Sequence, residues 1–161
     1  MSHAAVSLSR QSNALPAILW GGLIAGTLDI TDAFVFYGLR GVKPIRILHS
    51  VASGVLGPAS FKGGWKTAAL GMGFHFLIAF GATTVYYAAS RKLTILTRHA
   101  VVCGLLYGGA VYLFMNRIVV PLSNVAKPTA PPAMVPLVNA VLAIVLCIGL
   151  PISLVVRRYS R

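Results

Sequence analysis

The chain is 161 residues long, 57% of them apolar, and it carries fourteen Lys and Arg against two acids for a formal net charge of +12. Only 10% of its residues are charged, against about 25% in soluble domains. That is too little polar surface for a soluble fold and too much apolar surface for a disordered chain, so the composition implies a single integral membrane domain.

The first apolar run covers about residues 15–39. Its flank holds only Arg10, it is longer than a signal-peptide core and no A-x-A site follows, so it reads as a retained helix. Within it lie the chain's only two acids, Asp29 and Asp32, spaced i, i+3 and therefore neighbours on one helix face. A carboxylate at the bilayer centre costs at least about 2.5 kcal/mol. The pair should face other helices or a hydrated cavity, and should titrate as a coupled unit. Gly22, Gly26, Asp29 and Ala33 form one ridge, with Gly22 and Gly26 in the G-x-x-x-G spacing that suits close helix packing. Thr27 and Thr31 form a separate strip available to another helix.

The next segment, PIRILHSVASGVLGP, starts at Pro44, which suits a first helical position. Arg46, His49, Ser50 and Ser53 recur on one side and Ile45, Leu48, Ala52 and Val55 on another, which predicts an amphipathic helix over about 44–56 at the headgroup level. Gly54 and then Gly57-Pro58 should end it. Arg40, Lys43, Arg46, Lys62 and Lys66, with Trp65 as an interfacial anchor, are the expected lipid-headgroup contacts.

The second apolar run, about 67–89, contains His75 at the head of a ridge with Ala79, Ala82 and Tyr86. A lone His is more often a satisfied structural residue than a metal ligand, and no several-ligand pattern accompanies it. A short basic connection with Arg91, Lys92 and Arg98 leads to the third run, about 100–122. That run repeats the G-x-x-x-G spacing at Gly104 and Gly108 and ends with Asn116 and Arg117. Arg117 could snorkel outward or pair with Asp29 or Asp32. The proline-rich stretch SNVAKPTAPPAM, read as extended, precedes the fourth run at about 133–156, where Asn139 is a further polar group. Cys103 and Cys147 lie inside runs three and four and read as small buried hydrophobes.

Each run is close to the ~20 residues needed to cross the bilayer as a helix, and none alternates as a barrel strand would. The predicted fold is an all-α membrane protein: four transmembrane helices in a bundle plus an interfacial amphipathic helix between helices 1 and 2. With four spans, one side carries seven bases (Arg10, Arg91, Lys92, Arg98, Arg157, Arg158, Arg161) and the other six (Arg40, Lys43, Arg46, Lys62, Lys66, Lys127). The bases nearest the span ends favour cytoplasmic termini. Bases at span ends also point to anionic lipid rather than nucleic acid as the partner.

The pieces GGLIAG, FHFLIAFGATTVYY and GLLYGGAVYLFMNRIVVPLS, at 21–26, 74–87 and 104–123, resemble the YagU-like group of small bacterial inner-membrane proteins. The resemblance implies a multi-pass inner-membrane protein and supplies no catalytic residues. This chain departs from the group in its compact basic first connection. No H-E-x-x-H, P-loop, G-x-S-x-G or C-x-x-C motif occurs, so neither an enzyme nor a metal or cofactor is expected. Two readings stand: a proton- or cation-linked membrane protein using Asp29, Asp32, His75, Asn116, Arg117 and Asn139, or a structural or accessory subunit whose polar residues only join helices. With four short spans, a homo-oligomer or a partner in a membrane complex fits either reading.

Overall fold

The computed structural model describes residues 13–126 and 133–160. Arg10, Lys127, Arg161 and the extended reading of 127–132 lie outside them. Among the described residues every regular element is helical: α1 (Ala14–Gly38), α2 (Pro44–Leu56), a 3-10 turn (Gly57–Lys62), α3 (Gly64–Lys92), the short α4 (Ile95–Arg98), α5 (Ala100–Leu122) and α6 (Met134–Tyr159). Helices α1, α3, α5 and α6 are long and apolar enough to cross a membrane. Their ends depart from the apolar runs by at most three residues, as expected when backbone hydrogen bonds must be satisfied inside each segment.

Helix α2 has the predicted bounds. Lys43 is extended (φ −67°, ψ 140°), Pro44 opens the first turn, and Gly57 at φ +62° ends it, a left-handed conformation that costs glycine little. The predicted faces need correction. Leu48 and Ala52 are buried, but so are His49 and Ser53 from the expected polar stripe, while Val55 from the apolar stripe is exposed. The reversal at His49 has a hydrogen-bonded cause, while the Ser53 hydroxyl is satisfied within α2 by the Ser50 carbonyl at 2.6 Å. His49 Nε2 donates to the Gly64 carbonyl at 2.8 Å, Ser60 Oγ donates to the His49 carbonyl at 3.0 Å, and Thr67 Oγ1 donates to the Ser60 carbonyl at 2.8 Å. Short polar side chains are thus consumed in tying α2 and the 3-10 turn to the start of α3. At Gly71 a Cβ would strike the Leu48 carbonyl, so α2 crosses α3 almost backbone to backbone. The end of α5 holds the other end of α2: the Asn124 amide donates to the Gly54 carbonyl at 2.9 Å and its Nδ2 to the Val55 carbonyl at 2.7 Å.

Around the molecule the long helices follow the order α3, α1, α6, α5, each packed on the next. The interior mixes small and large residues: Ala17, Ala25, Ala100, Ile152 and Val156 are all 0% exposed, while Leu77 is 66% and Leu106 70% exposed. Leucines left outside suit lipid, where burying a leucine gains nothing over leaving it in acyl chains and close backbone approach carries the association. The glycine pairs act in two ways. Gly22 and Gly26 receive the rings of Phe80 and Phe76, whereas Gly104 meets the Ser153 side chain and the Gly149 carbonyl, and Gly108 meets backbone alone. A Cβ on Gly108 would stand 2.9 Å from the Ile144 carbonyl oxygen, and one on Gly149 would stand 2.7 Å from the Gly108 Cα.

Helices α5 and α6 are not uniform. Each contains a wide π-type segment, Met115–Val119 and Ile144–Gly149, just before Pro121 and Pro151. A proline ring removes one ladder hydrogen bond and crowds the carbonyl four residues back, here Arg117 and Cys147. Widening the preceding turn relieves that crowding.

Replacing Gly108 or Gly149 by Ile should therefore cost about 1–3 kcal/mol or more through overpacking. Gly73→Ala and Gly109→Ala, where a Cβ meets nothing within 4 Å, should be near neutral. Thermal unfolding of the four variants in detergent checks this ranking.

Candidate functional site

The two acids of α1 separate into two environments. Asp32 Oδ2 accepts a hydrogen bond from Asn139 Nδ2 at 2.9 Å, which joins α1 to α6. Asp29 lies on the face towards α3, roughly 22 Å along the axis from Ala14 and roughly 14 Å from Gly38 at about 1.5 Å per residue. It lines a cavity of about 250 Å³ together with His75. Among the described residues Asp29 has no hydrogen-bond partner, and its ionisable neighbours are His75 and Asp32. Cys147 on α6 is also near enough to feel both carboxyl groups.

His75 is fixed by α1. Its Nε2 lies 2.7 Å from the Gly26 carbonyl oxygen. A carbonyl only accepts, so Nε2 carries the proton, and Nδ1 is the nitrogen left to accept or bind a further proton. The same contact explains why Gly26 is small: the ring of Phe76, edge-on to His75 with centroids 5.4 Å apart, fills the space a side chain would take.

The rest of the cavity is mostly apolar. Ile78, Ala79 and Ala82 come from α3, Val111, Met115 and Val119 from α5, and Ile144 and Ile148 from α6. The wide turns of α5 and α6 thus supply Met115, Val119, Ile144 and Ile148 to its walls. At the end near α2 the lining becomes partly polar, with Ser50 and Ser123. The volume is ample for water, which needs two to four polar partners to settle.

The remaining candidates stand apart. Arg117 is exposed and, among the described residues, pairs with neither aspartate; Asn116 is exposed and donates from Nδ2 to the Tyr112 carbonyl of its own helix at 3.0 Å. Thr31 Oγ1 likewise donates to the Thr27 carbonyl at 2.7 Å and serves no second helix. Arg40, Lys43, Arg46, Lys62, Trp65 and Lys66 are all exposed, and Arg40 stacks 3.6 Å above the Phe36 ring. Among the described residues no group of three His, Cys, Asp or Glu side chains could hold a metal ion.

Sequence reasoning missed three contributors. Cys147 reads as packing, yet it lies within electrostatic reach of both acids. Gly149 answers Gly104 and Gly108 from α6, and Pro151 two residues on was its only signal. Tyr107 has no motif of its own in the sequence; its hydroxyl donates to the Ala82 carbonyl at 2.6 Å and its ring lies 4.9 Å from that of Tyr86. Compared with family models, curated proteins and solved structures, the chain matches none.

A double-mutant cycle on Asp32→Ala and Asn139→Ala should give a coupling of about 0.6 kcal/mol, and at most about 1.7, the range of buried polar pairs in membrane helices. The same cycle on Asp32 and Arg117 should give none. Unfolding of each variant in detergent measures both.

Proposed function

We propose that this is a non-enzymatic multi-pass protein of the bacterial inner membrane, of the kind its likeness to YagU-like proteins implies. In this reading the four long helices form a transmembrane bundle, α2 lies at the headgroup level and Asp29 is the protonatable group of a proton- or cation-linked site. The observation that carries it is the setting of Asp29: a carboxyl without a hydrogen-bond partner among the described residues, facing a cavity at membrane depth, with His75 as its ionisable neighbour. A carboxylate there costs at least about 2.5 kcal/mol when charged, and acids held in such places mark ion or proton paths. Ser50 and Ser123 give the cavity polar groups on the side of α2, which supplies a route for protons between Asp29 and that surface.

Several features support the orientation and the lipid partner. Arg98 and Arg157 line one small cavity with Thr97 and Ser160, so the second connection and the C-terminal helix gather their bases at one end, which we assign to the cytoplasm. Arg40, Lys43, Arg46, Lys62 and Lys66, with Trp65, then face anionic headgroups on the opposite side.

The accessory-subunit reading has one observation of its own. The bond between Asp32 and Asn139 joins two helices and needs no ion. The two readings therefore divide between the acids. In proteoliposomes with an imposed pH gradient, wild-type protein should carry protons or a coupled monovalent cation, Asp29→Asn should abolish the flux, and Asn139→Ala should retain most of it. Absence of flux in the wild type, or full flux in Asp29→Asn, leaves only the helix-joining role.

A further inference from the structure

The ring of helices has one loose seam. Helices α3 and α5 stand at the two ends of the packing order, and Tyr107 is the main bridge between them: its hydroxyl reaches the Ala82 carbonyl at 2.6 Å and its ring touches Tyr86. Below that bridge the two helices part and leave a groove of about 540 Å³. Its floor is made of small residues, Gly81, Ala82 and Ala110, and its rims of Val85 and Phe114, which are 60% and 54% exposed. The groove adjoins the Asp29 cavity, for Ile78, Ala82, Val111, Met115 and Val119 wall both.

We propose that this groove admits lipophilic organic cations from the bilayer, and that Asp29 is the carboxylate they meet at its inner end. The proposal rests on the proton- or cation-linked reading of Asp29 and names the chemical class of the cation. An acyl chain alone would be satisfied by the apolar walls and would have no use for a carboxylate. A hydrated inorganic ion would be satisfied by the carboxylate and would have no use for apolar walls at membrane depth. A delocalised or shielded cation on an apolar body matches both, because it loses little hydration on leaving water and regains charge compensation at Asp29. Asp32 does not compete, since its Oδ2 is held by Asn139. The charge balance is closed by exchange: the cation pairs with ionised Asp29, and the proton that Asp29 gives up leaves past Ser50 and Ser123. The other titratable groups near Asp29 are Asp32 on its own helix, His75 on α3 and Cys147 on α6.

Tetraphenylphosphonium is a suitable probe, with the full chain in nanodiscs of phosphatidylcholine and phosphatidylglycerol. Binding above that of empty nanodiscs is expected in the wild type, with affinity rising as pH rises. Asp29→Asn should weaken binding about tenfold or more, and so should Gly81→Leu, which fills the groove without touching the acid. A Cβ at Gly81 meets nothing within 4 Å, so that variant is expected to fold; Ala110→Leu fills the groove from the other side as a second test. Wild-type binding no greater than that of empty nanodiscs overturns the inference, as does undiminished binding in Asp29→Asn, which would be simple partition into an apolar groove. Undiminished binding in both groove variants overturns it as well. Infrared difference spectra of the Asp29 carboxyl and the proton-flux assay separate this failure from that of the underlying reading: protons that still move through Asp29 while the phosphonium is ignored leave the proton-linked site standing.

Discussion

In lipid a helix has no hydrophobic reason to touch its neighbour, and the architecture here follows from where backbone can come close. Gly104 and Gly108 against Gly149 bring α5 onto α6, and Gly71 brings α2 onto α3 through the Leu48 carbonyl. The α1–α3 contact is made differently, by Phe76 and Phe80 resting in the spaces left at Gly26 and Gly22. Between α3 and α5 there is no such device. Gly81 and Ala110 are small, but they face the groove rather than an opposing backbone. One seam of the molecule is consequently left open by the same size rule that closes the others.

That rule also sets what could be read from the chain. Span existence and ends are legible because length and apolarity alone decide them, and the bounds of α2 follow from Pro44 and Gly57. Facing directions are less legible. Where both lipid and protein interior are apolar, polarity does not distinguish the inner face from the outer, and only residue size does. Ala79 on the His75 ridge could be found that way; Tyr86, large and equally buried, could not, nor could the choice of partner for each glycine. His49 departs from the predicted face because its side chain bonds to the start of α3, a contact that no periodicity within α2 encodes, whereas the Ser53 hydroxyl donates to the Ser50 carbonyl of its own helix.

The site divides similarly. The acids are conspicuous by rarity, but their separation into a bonded Asp32 and an unbonded Asp29 depends on Asn139, more than one hundred residues away. Asn116 and Arg117 share the residue types of a polar site, yet they sit on the outer side of α5. The wide turn before Pro121 is centred on that segment, and a straight-helix reading would misjudge which way its residues turn.

Those wide turns have a mechanical meaning. A continuous α-helical ladder transmits displacement stiffly along its axis, whereas a segment whose carbonyls have lost their regular partners yields locally. Met115, Val119, Ile144 and Ile148 belong to such segments and also wall the chamber beside Asp29. The least regular turns of both helices thus meet at the chamber of Asp29, which has no hydrogen-bond partner among the described residues.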